Sequence, residues 1–300
     1  MTKLEVPIHP PDTVAIGFYA VAFLDLLGHG QILKALDALP EKDDPASIAS
    51  FQSQVQLAFG TINSMQRSVA RFFEGYKQGP PSSINLPGMT ELCEQTQLPP
   101  VKFQRFSDGL VLFVALARSD NTSAQNGVYA LLGACATNMM VSLAAGKPIR
   151  GGIDVGLGME MNENEIYGAV VAKAYELEHA VAQMPRIVIG NSMINFLNTS
   201  ADIVPKTNRD RVNQGIAKVS LAILCADVDG HPILDYLGVP FRRHFAAQEA
   251  TAHTVIKAHE FVVAQTEYWA REKNTKLAIR YALLRDYFDA RMKNWQESSQ

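Results

Sequence analysis

Two aspartates stand where carboxylates are costly to keep. Asp25 lies within "FLDLLGHG" (residues 23–30), at the end of a nearly continuous apolar run. Asp108 lies within "QRFSDGLVLFVAL", between two stretches rich in β-branched and aromatic residues. An unpaired charge in apolar surroundings carries a heavy desolvation cost, so a carboxylate so placed needs a partner. Two carboxylates brought together raise each other's pKa unless a cation sits between them. Hard divalent ions such as Mg²⁺ are held by one or two carboxylates, with substrate phosphates completing the shell. The chemistry open to the pair is therefore metal-assisted reaction of a phosphate ester, if the fold brings the two together. The plainer readings are a strand-end turn carboxylate at Asp25 and an Asp-Gly hairpin turn at Asp108.

The elements that would position them can be read from hydrophobic patterning. "TVAIGFYAVAFLDLL" (13–27) predicts a central strand ending near Asp25, with Gly28 and Gly30 allowing a tight exit. Residues 1–12 read as a polar lead-in. Residues 31–39 and 48–77 read as helices. "VKFQRF" (101–106) and "LVLFVALA" (110–117) read as strands joined by Ser107, Asp108 and Gly109, a short hairpin. A helix is expected over 126–146 and a strand over 149–158, with glycines where close approach is needed. A turn then runs into a helix, and a short strand follows at 185–190. The order is β-α-β-β-α-β, an α+β, ferredoxin-like arrangement with an expanded first helical segment over 30–100. In that arrangement the first strand lies beside the hairpin, so Asp25 and Asp108 meet at one sheet edge. Residues 221–237 hold a strand and a polar turn. "DVDG" (227–230) invites a calcium reading but lacks the later ligands of an EF-hand loop, and reads as the turn. From about 243 the chain reads as two helices broken near Asn274, with apolar residues at helical spacing. The expected division is a main domain over 1–240 and a helical appendage over 241–300 that packs back on it.

Composition bounds the function classes. Charged residues make up 19% of the 300 and the net charge is −3, which gives no basic clustering of the kind a nucleic-acid surface needs. Three widely spaced cysteines (Cys93, Cys135, Cys225) offer neither a disulfide framework nor a CxxC metal site, so a reducing, cytoplasmic setting is expected. The N-terminal residues have no apolar signal core. The apolar stretches read as interrupted and short of the ~20 residues of a membrane span, so no membrane partner is expected.

Four segments, "FLDLLGHG", "FSDGLVLF", "IRGGIDVG" and "IYGAVVAKAYELEHAVAQMPRIVI", taken in this order resemble the class III nucleotidyl cyclase domain. They are most similar to the pyrimidine (uridylate and cytidylate) cyclases of bacterial Pycsar anti-phage defence. The resemblance spans roughly residues 13–237, with no matching motif between 30 and 100. It implies that the 3′-hydroxyl of a nucleoside triphosphate attacks its own α-phosphate, releasing pyrophosphate and a 3′,5′-cyclic nucleotide. It implies two divalent cations, Mn²⁺ or Mg²⁺, on Asp25 and Asp108, with the Leu26 main chain beside a metal and Gly28 against the phosphates. Ser107 would be a further phosphate or metal contact, or simply a turn residue. Family members are homodimers with the site across the interface. One subunit brings the aspartates, and the other brings a wall formed by residues 165–176.

Base recognition falls, by the same resemblance, to Gln104 and Glu165; a Gln amide offers both donor and acceptor. The segment departs from the purine cyclases where they carry an Asn and a transition-state Arg. Ala172 and Glu176 stand there, leaving Arg105, Arg150, Lys173 and Arg186 as substitute cations, with Arg150 assigned to substrate binding. The implied product is a second messenger read by a separate cyclic-nucleotide-binding effector protein. UTP is the expected substrate and CTP its near rival. Two alternatives stand beside the active cyclase. One is a catalytically dead cyclase-like domain used for nucleotide sensing or dimerisation. The other is a polymerase-palm phosphoryl-transfer enzyme, which the charge pattern disfavours.

Overall fold

The computed structural model describes residues 4–9, 12–34, 36–41, 43–76, 98–106, 108–116, 122–161, 164–246 and 249–296. The expected Ser107 contact and Cys93 lie outside them. The fold is mixed α+β: a mostly antiparallel sheet with helices against both faces.

The centre is β2, Asp12–Leu26, a 15-residue strand. On one side it pairs with β4 (Gly109–Ala115), which pairs in turn with β3 (Val101–Phe106) at the edge. On the other side it pairs along its length with β5 (Ile149–Met161). The sheet continues through β7 (Ile187–Ile189), the one parallel pairing among the described residues, to the hairpin of β8 (Leu224–Ala226) and β9 (Pro232–Leu234). The path across the sheet is β3-β4-β2-β5-β7-β9-β8. A short β6 (Glu165–Tyr167) pairs with the far end of β5, which is why β5 runs to Met161 rather than stopping at 158.

Residues 4–9 correct the expected polar lead-in. They form β1 (Leu4–His9), antiparallel to the start of β2. β4 reaches only as far as Tyr19, so the first half of β2 has backbone groups to satisfy on that side, and the preceding chain folds back to satisfy them. The helix expected over 31–39 is α1, His29–Lys34, and it stops early. Leu39 is 86% exposed, so the later apolar positions had no surface to cover.

Period-two alternation sorts β2 into two faces. Ala20, Ala22, Leu24 and Leu26 enter the main core with Leu110, Leu112 and Val114 of β4. This face is covered by α2 (Pro45–Tyr76) and α3 (Ala124–Ala144). Tyr19, Val21 and Phe23 face the other way, with Val111 and Phe113, and pack on Val170 and Ala174 of α4 (Ala169–Glu176). Asp25 follows in the same odd-numbered row and shares this second face. α4 continues without a break into a π-helical turn, Leu177–Ala182.

α3 is buried almost all round. It has 21 residues and is apolar enough to cross a membrane by length and composition, which corrects the expectation that no segment reaches that length. In this fold it is a core helix, with 83% of its most apolar window buried inside the protein.

Beyond β7 come α5 (Asn191–Ala201), α6 (Asn208–Ala222), α7 (Val239–Phe245), α8 (Glu249–Arg271), α9 (Thr275–Asp289) and α10 (Lys293–Gln296). The expected break near Asn274 is the α8–α9 junction, where the Asn274 side chain accepts from the Leu277 N–H at 3.2 Å. Val255, Ala258 and Val262 of α8, with Tyr281, Leu284 and Phe288 of α9, join the same core cluster as β2 and α3.

Candidate functional site

Asp25 is the penultimate residue of β2, and strand register fixes its neighbours. Across one side it pairs with Gly109, next to Asp108; across the other it pairs with Arg150. The Leu26 N–H donates to the Asp108 carbonyl at 3.3 Å, closing the strand end onto the hairpin. The two aspartates are thus brought together where β2 ends and the β3–β4 hairpin turns. Both are partly buried.

Electrostatics record the proximity. Burial raises the Asp25 pKa first, and the Asp108 charge raises it further. Opposing them are the Arg150 guanidinium, whose Nη2 lies 3.4 Å from Asp25 Oδ2, and a hydrogen bond from the Glu178 carboxyl. Glu178 lies in the Ala-rich run "AYELEHAVA", where a glutamate ordinarily stands in solvent. It is instead 1% exposed, ion-paired through Oε1 with Arg150 Nε and hydrogen-bonded to Asp25. Burial pushes its carboxyl up to about 7 in spite of Arg150.

One glycine makes this possible. A Cβ on Gly152 would lie 2.3 Å from the Ala174 carbonyl oxygen, 2.5 Å from Leu177 Cβ and 2.8 Å from the Glu178 nitrogen. A Cβ on Gly151 would meet Leu24 Cδ2 at 2.6 Å and the Phe23 carbonyl at 2.8 Å. Gly152 therefore lets the helix settle onto bare backbone and carry Glu178 down to Arg150, while Gly151 admits Leu24 on the opposite face. An aromatic group borders the same corner: Phe23 packs against Phe106 (5.9 Å between ring centroids) and Tyr175 (5.3 Å), and Tyr175 stacks on His179.

The remaining expected residues are distributed around this centre. Gly28 sits in the exit turn at φ +78°, a conformation that favours glycine. It lines a cavity of about 370 Å³ facing α8 and α9, and Leu26 lines another of about 250 Å³ between α2 and α3; Asp25 and Asp108 line neither. The Leu27 N–H donates to the Pro148 carbonyl at 3.0 Å, so the Leu26 and Leu27 amides are both spent within the protein rather than left for phosphates. His29 opens α1 but is 3% exposed; burial lowers its pKa.

Gln104, on β3, accepts from the Ile166 N–H through Oε1 at 2.9 Å. That donor fixes the amide orientation and turns the Nε2 donors the other way. Glu165 adjoins Ile166, so Gln104 and Glu165 come together within one chain. Tyr167 Oη lies 3.4 Å from Glu165 Oε2.

Of the substitute cations, Arg150 alone reaches the aspartate pair among the described residues. Arg186 is 6% exposed and fully committed. It holds Asp227 (2.6 Å) and Asp229 (2.7 Å) and donates to the carbonyls of Val181 and Ala182. "DVDG" is the β8–β9 turn, as expected, and its acids anchor that arginine. Lys173 reaches Ser192 Oγ at 3.3 Å. Arg105, Ala172 and Glu176 are exposed.

Asp25 and Asp108 offer hard carboxylate oxygens at one strand end, and burial first, then the Asp108 charge, raises the Asp25 pKa. Among the described residues no group of three or more His, Cys, Asp and Glu is placed to hold a metal alone. The residues fit an ion that takes its other ligands from substrate and water. Compared with family models, with curated proteins and with solved structures, the chain finds no match in any of the three.

Proposed function

We propose that this protein is a nucleotidyl cyclase that converts a pyrimidine nucleoside triphosphate, UTP before CTP, to its 3′,5′-cyclic monophosphate and pyrophosphate. The observation that carries the reading is the register Asp25↔Gly109, which sets two acidic side chains at one strand end. The path β3-β4-β2-β5 supports it. Numbered along the β-α-β-β-α-β core, it runs second, third, first, fourth, the order of a ferredoxin-like sheet, and we take it as a class III cyclase core.

Asp25 and Asp108 would hold divalent cations, Mn²⁺ or Mg²⁺, which when bound stabilise the attacking and leaving oxygens of an in-line displacement. Arg150, the cation nearest the pair, is assigned to the charge of the triphosphate. Gln104, with its donors turned away from Ile166, and Glu165 are assigned to the base edge. Uracil and cytosine interchange donor and acceptor there at both N3 and the 4-substituent, and each keeps an acceptor that the Gln104 amide donors can reach. The exposed apolar residues Phe18, Phe103, Leu157, Met159 and Tyr167 fall by register on the same face of the sheet as Ala20 and Ala22, opposite Asp25, and support a homodimer. The messenger would act through a separate effector that binds cyclic nucleotides.

A second reading is favoured by one observation: Arg150 already neutralises Asp25, and Ala172 and Glu176 replace the usual polar pair. On that reading the domain binds nucleotide without turning it over. Incubating the purified chain and Mn²⁺ with each of ATP, GTP, CTP and UTP separates the two. Cyclic UMP is the expected product. A cyclic purine nucleotide would overturn the substrate assignment, and nucleotide binding without any cyclic product would select the second reading.

A further inference from the structure

The Asp25–Arg150–Glu178 triad has an asymmetry that the cyclase reading does not use. Arg150 stands directly across the strand from Asp25, yet its contact there is a single N–O approach of 3.4 Å. That is long beside the 2.7–2.9 Å of a strong charge-assisted bond. Its Nε forms an ion pair with Glu178 Oε1. The Glu178 side chain is 2% exposed, whereas those of Arg150 and Asp25 are 18% and 19% exposed. Gly152 lets the backbone at Glu178 seat directly on the sheet, so Glu178 is the fixed point of the three. Arg150 can therefore leave Asp25 by rotating its terminal nitrogens while Nε stays with Glu178.

We propose that Arg150 is a resident counter-ion that competes with the divalent cation for Asp25, and that Glu178 is a positioning residue that holds Arg150 back from it. This rests on the reading of Asp25 as a cation ligand. With the site empty, the guanidinium covers part of the Asp25 charge and limits its repulsion from Asp108. An arriving cation must displace it, since two positive groups cannot share one carboxylate without strong repulsion. Because Arg150 keeps its ion pair with Glu178, displacement leaves no buried carboxylate without a counter-charge. Loss of either charge alone would shift cation affinity, in opposite directions, by Coulomb attraction and repulsion; the competition adds that the effect of Glu178 depends on the presence of Arg150.

The test is Mn²⁺ binding to the purified full chain without nucleotide, followed by the electron paramagnetic resonance signal of free Mn²⁺. Arg150→Gln should bind Mn²⁺ about tenfold more tightly than the wild type, the order expected for removing one unit charge beside a partly buried site. Glu178→Gln should bind about threefold more weakly, because Arg150 then settles on Asp25. In the Arg150→Gln background the effect of Glu178→Gln should largely vanish. That double variant buries no unpaired charge, so its comparison with Glu178→Gln keeps the test open if Arg150→Gln does not fold. Asp25→Asn gives the baseline. Binding that depends on Asp25 but is unchanged or weakened by loss of Arg150 overturns the competition alone. The absence of any Asp25-dependent binding overturns the cation site, and the proposed function with it.

Discussion

Gly152→Ala adds a single methyl group at the point where the helix meets the sheet. The new Cβ would stand 2.3 Å from the Ala174 carbonyl oxygen and 2.5 Å from Leu177 Cβ. Comfortable contacts lie near 3.5 Å, so the helix must lift by roughly 1 Å. Neither neighbour is the free end of a flexible side chain, so the strain has no soft outlet. Overpacking of this kind costs about 1–3 kcal/mol, and this site belongs at the upper end. At about 2–4 °C per kcal/mol for a large domain, melting should fall by roughly 5–10 °C. Gly60→Ala in α2 is the matched control. Its Cβ would meet nothing within 4 Å, and replacing a helical glycine should stabilise by about 1 kcal/mol. Thermal unfolding of the two variants by circular dichroism should therefore move in opposite directions. A Gly152→Ala protein that melts within a degree of the wild type would show that the helix is not seated on that glycine, and the account of Glu178 burial would go with it.

Asp25→Asn and Asp108→Asn should each lower cyclisation by about a hundredfold or more, since each removes a charge assigned to holding a cation; near-normal turnover in folded protein refutes the assignment. Glu178 has its pKa raised from the ordinary 4.5 to about 7. Between those values the native state keeps a proton that the unfolded chain releases, so this group's contribution to stability falls as pH rises from about 4.5 to 7. Urea unfolding at pH 5, 6 and 7 should show that slope, and Glu178→Gln should flatten it; an unchanged slope contradicts the shift. Asp227→Asn removes one of two acids from the buried Arg186 and should lower stability by about 1–3 kcal/mol while leaving turnover intact. A loss of turnover in folded Asp227→Asn would place the β8–β9 turn in the site.

The local pattern around the aspartates was legible because it needed only short-range signals. An apolar run ending at Asp25 and a three-residue connection at Asp108 predict a strand and a hairpin, and the β-α-β-β-α-β order predicts that they adjoin. Arg150 opposite Asp25 was not legible, because it depends on unbroken pairing between β2 and β5 over thirteen residues. The burial of Glu178 was not legible for a similar reason. A glutamate on an Ala-rich helix reads as solvated, and its burial is caused by an absent side chain at Gly152, on a different element. The "GG" of "IRGGID" was the available signal, and it was read as close approach without a partner for it. β1 escaped notice because its short, Pro-containing segment is stabilised as an edge strand only by the open first half of β2.

The position of α3 has a consequence for biogenesis. It is a 21-residue helix hydrophobic enough to enter a bilayer, and one of its covers, α8, begins more than a hundred residues later in the chain. During synthesis at about 5–20 residues per second, that face stays uncovered for several seconds or longer. The nascent chain thus passes through a stage in which its most apolar helix is available to chaperones, to targeting factors and to other nascent copies. Selection on the residues of α8 and α9 that line this core therefore acts on yield from the ribosome as well as on the finished protein, and substitutions at Val255, Val262 or Phe288 should reduce recovered protein more than their effect on melting temperature alone implies.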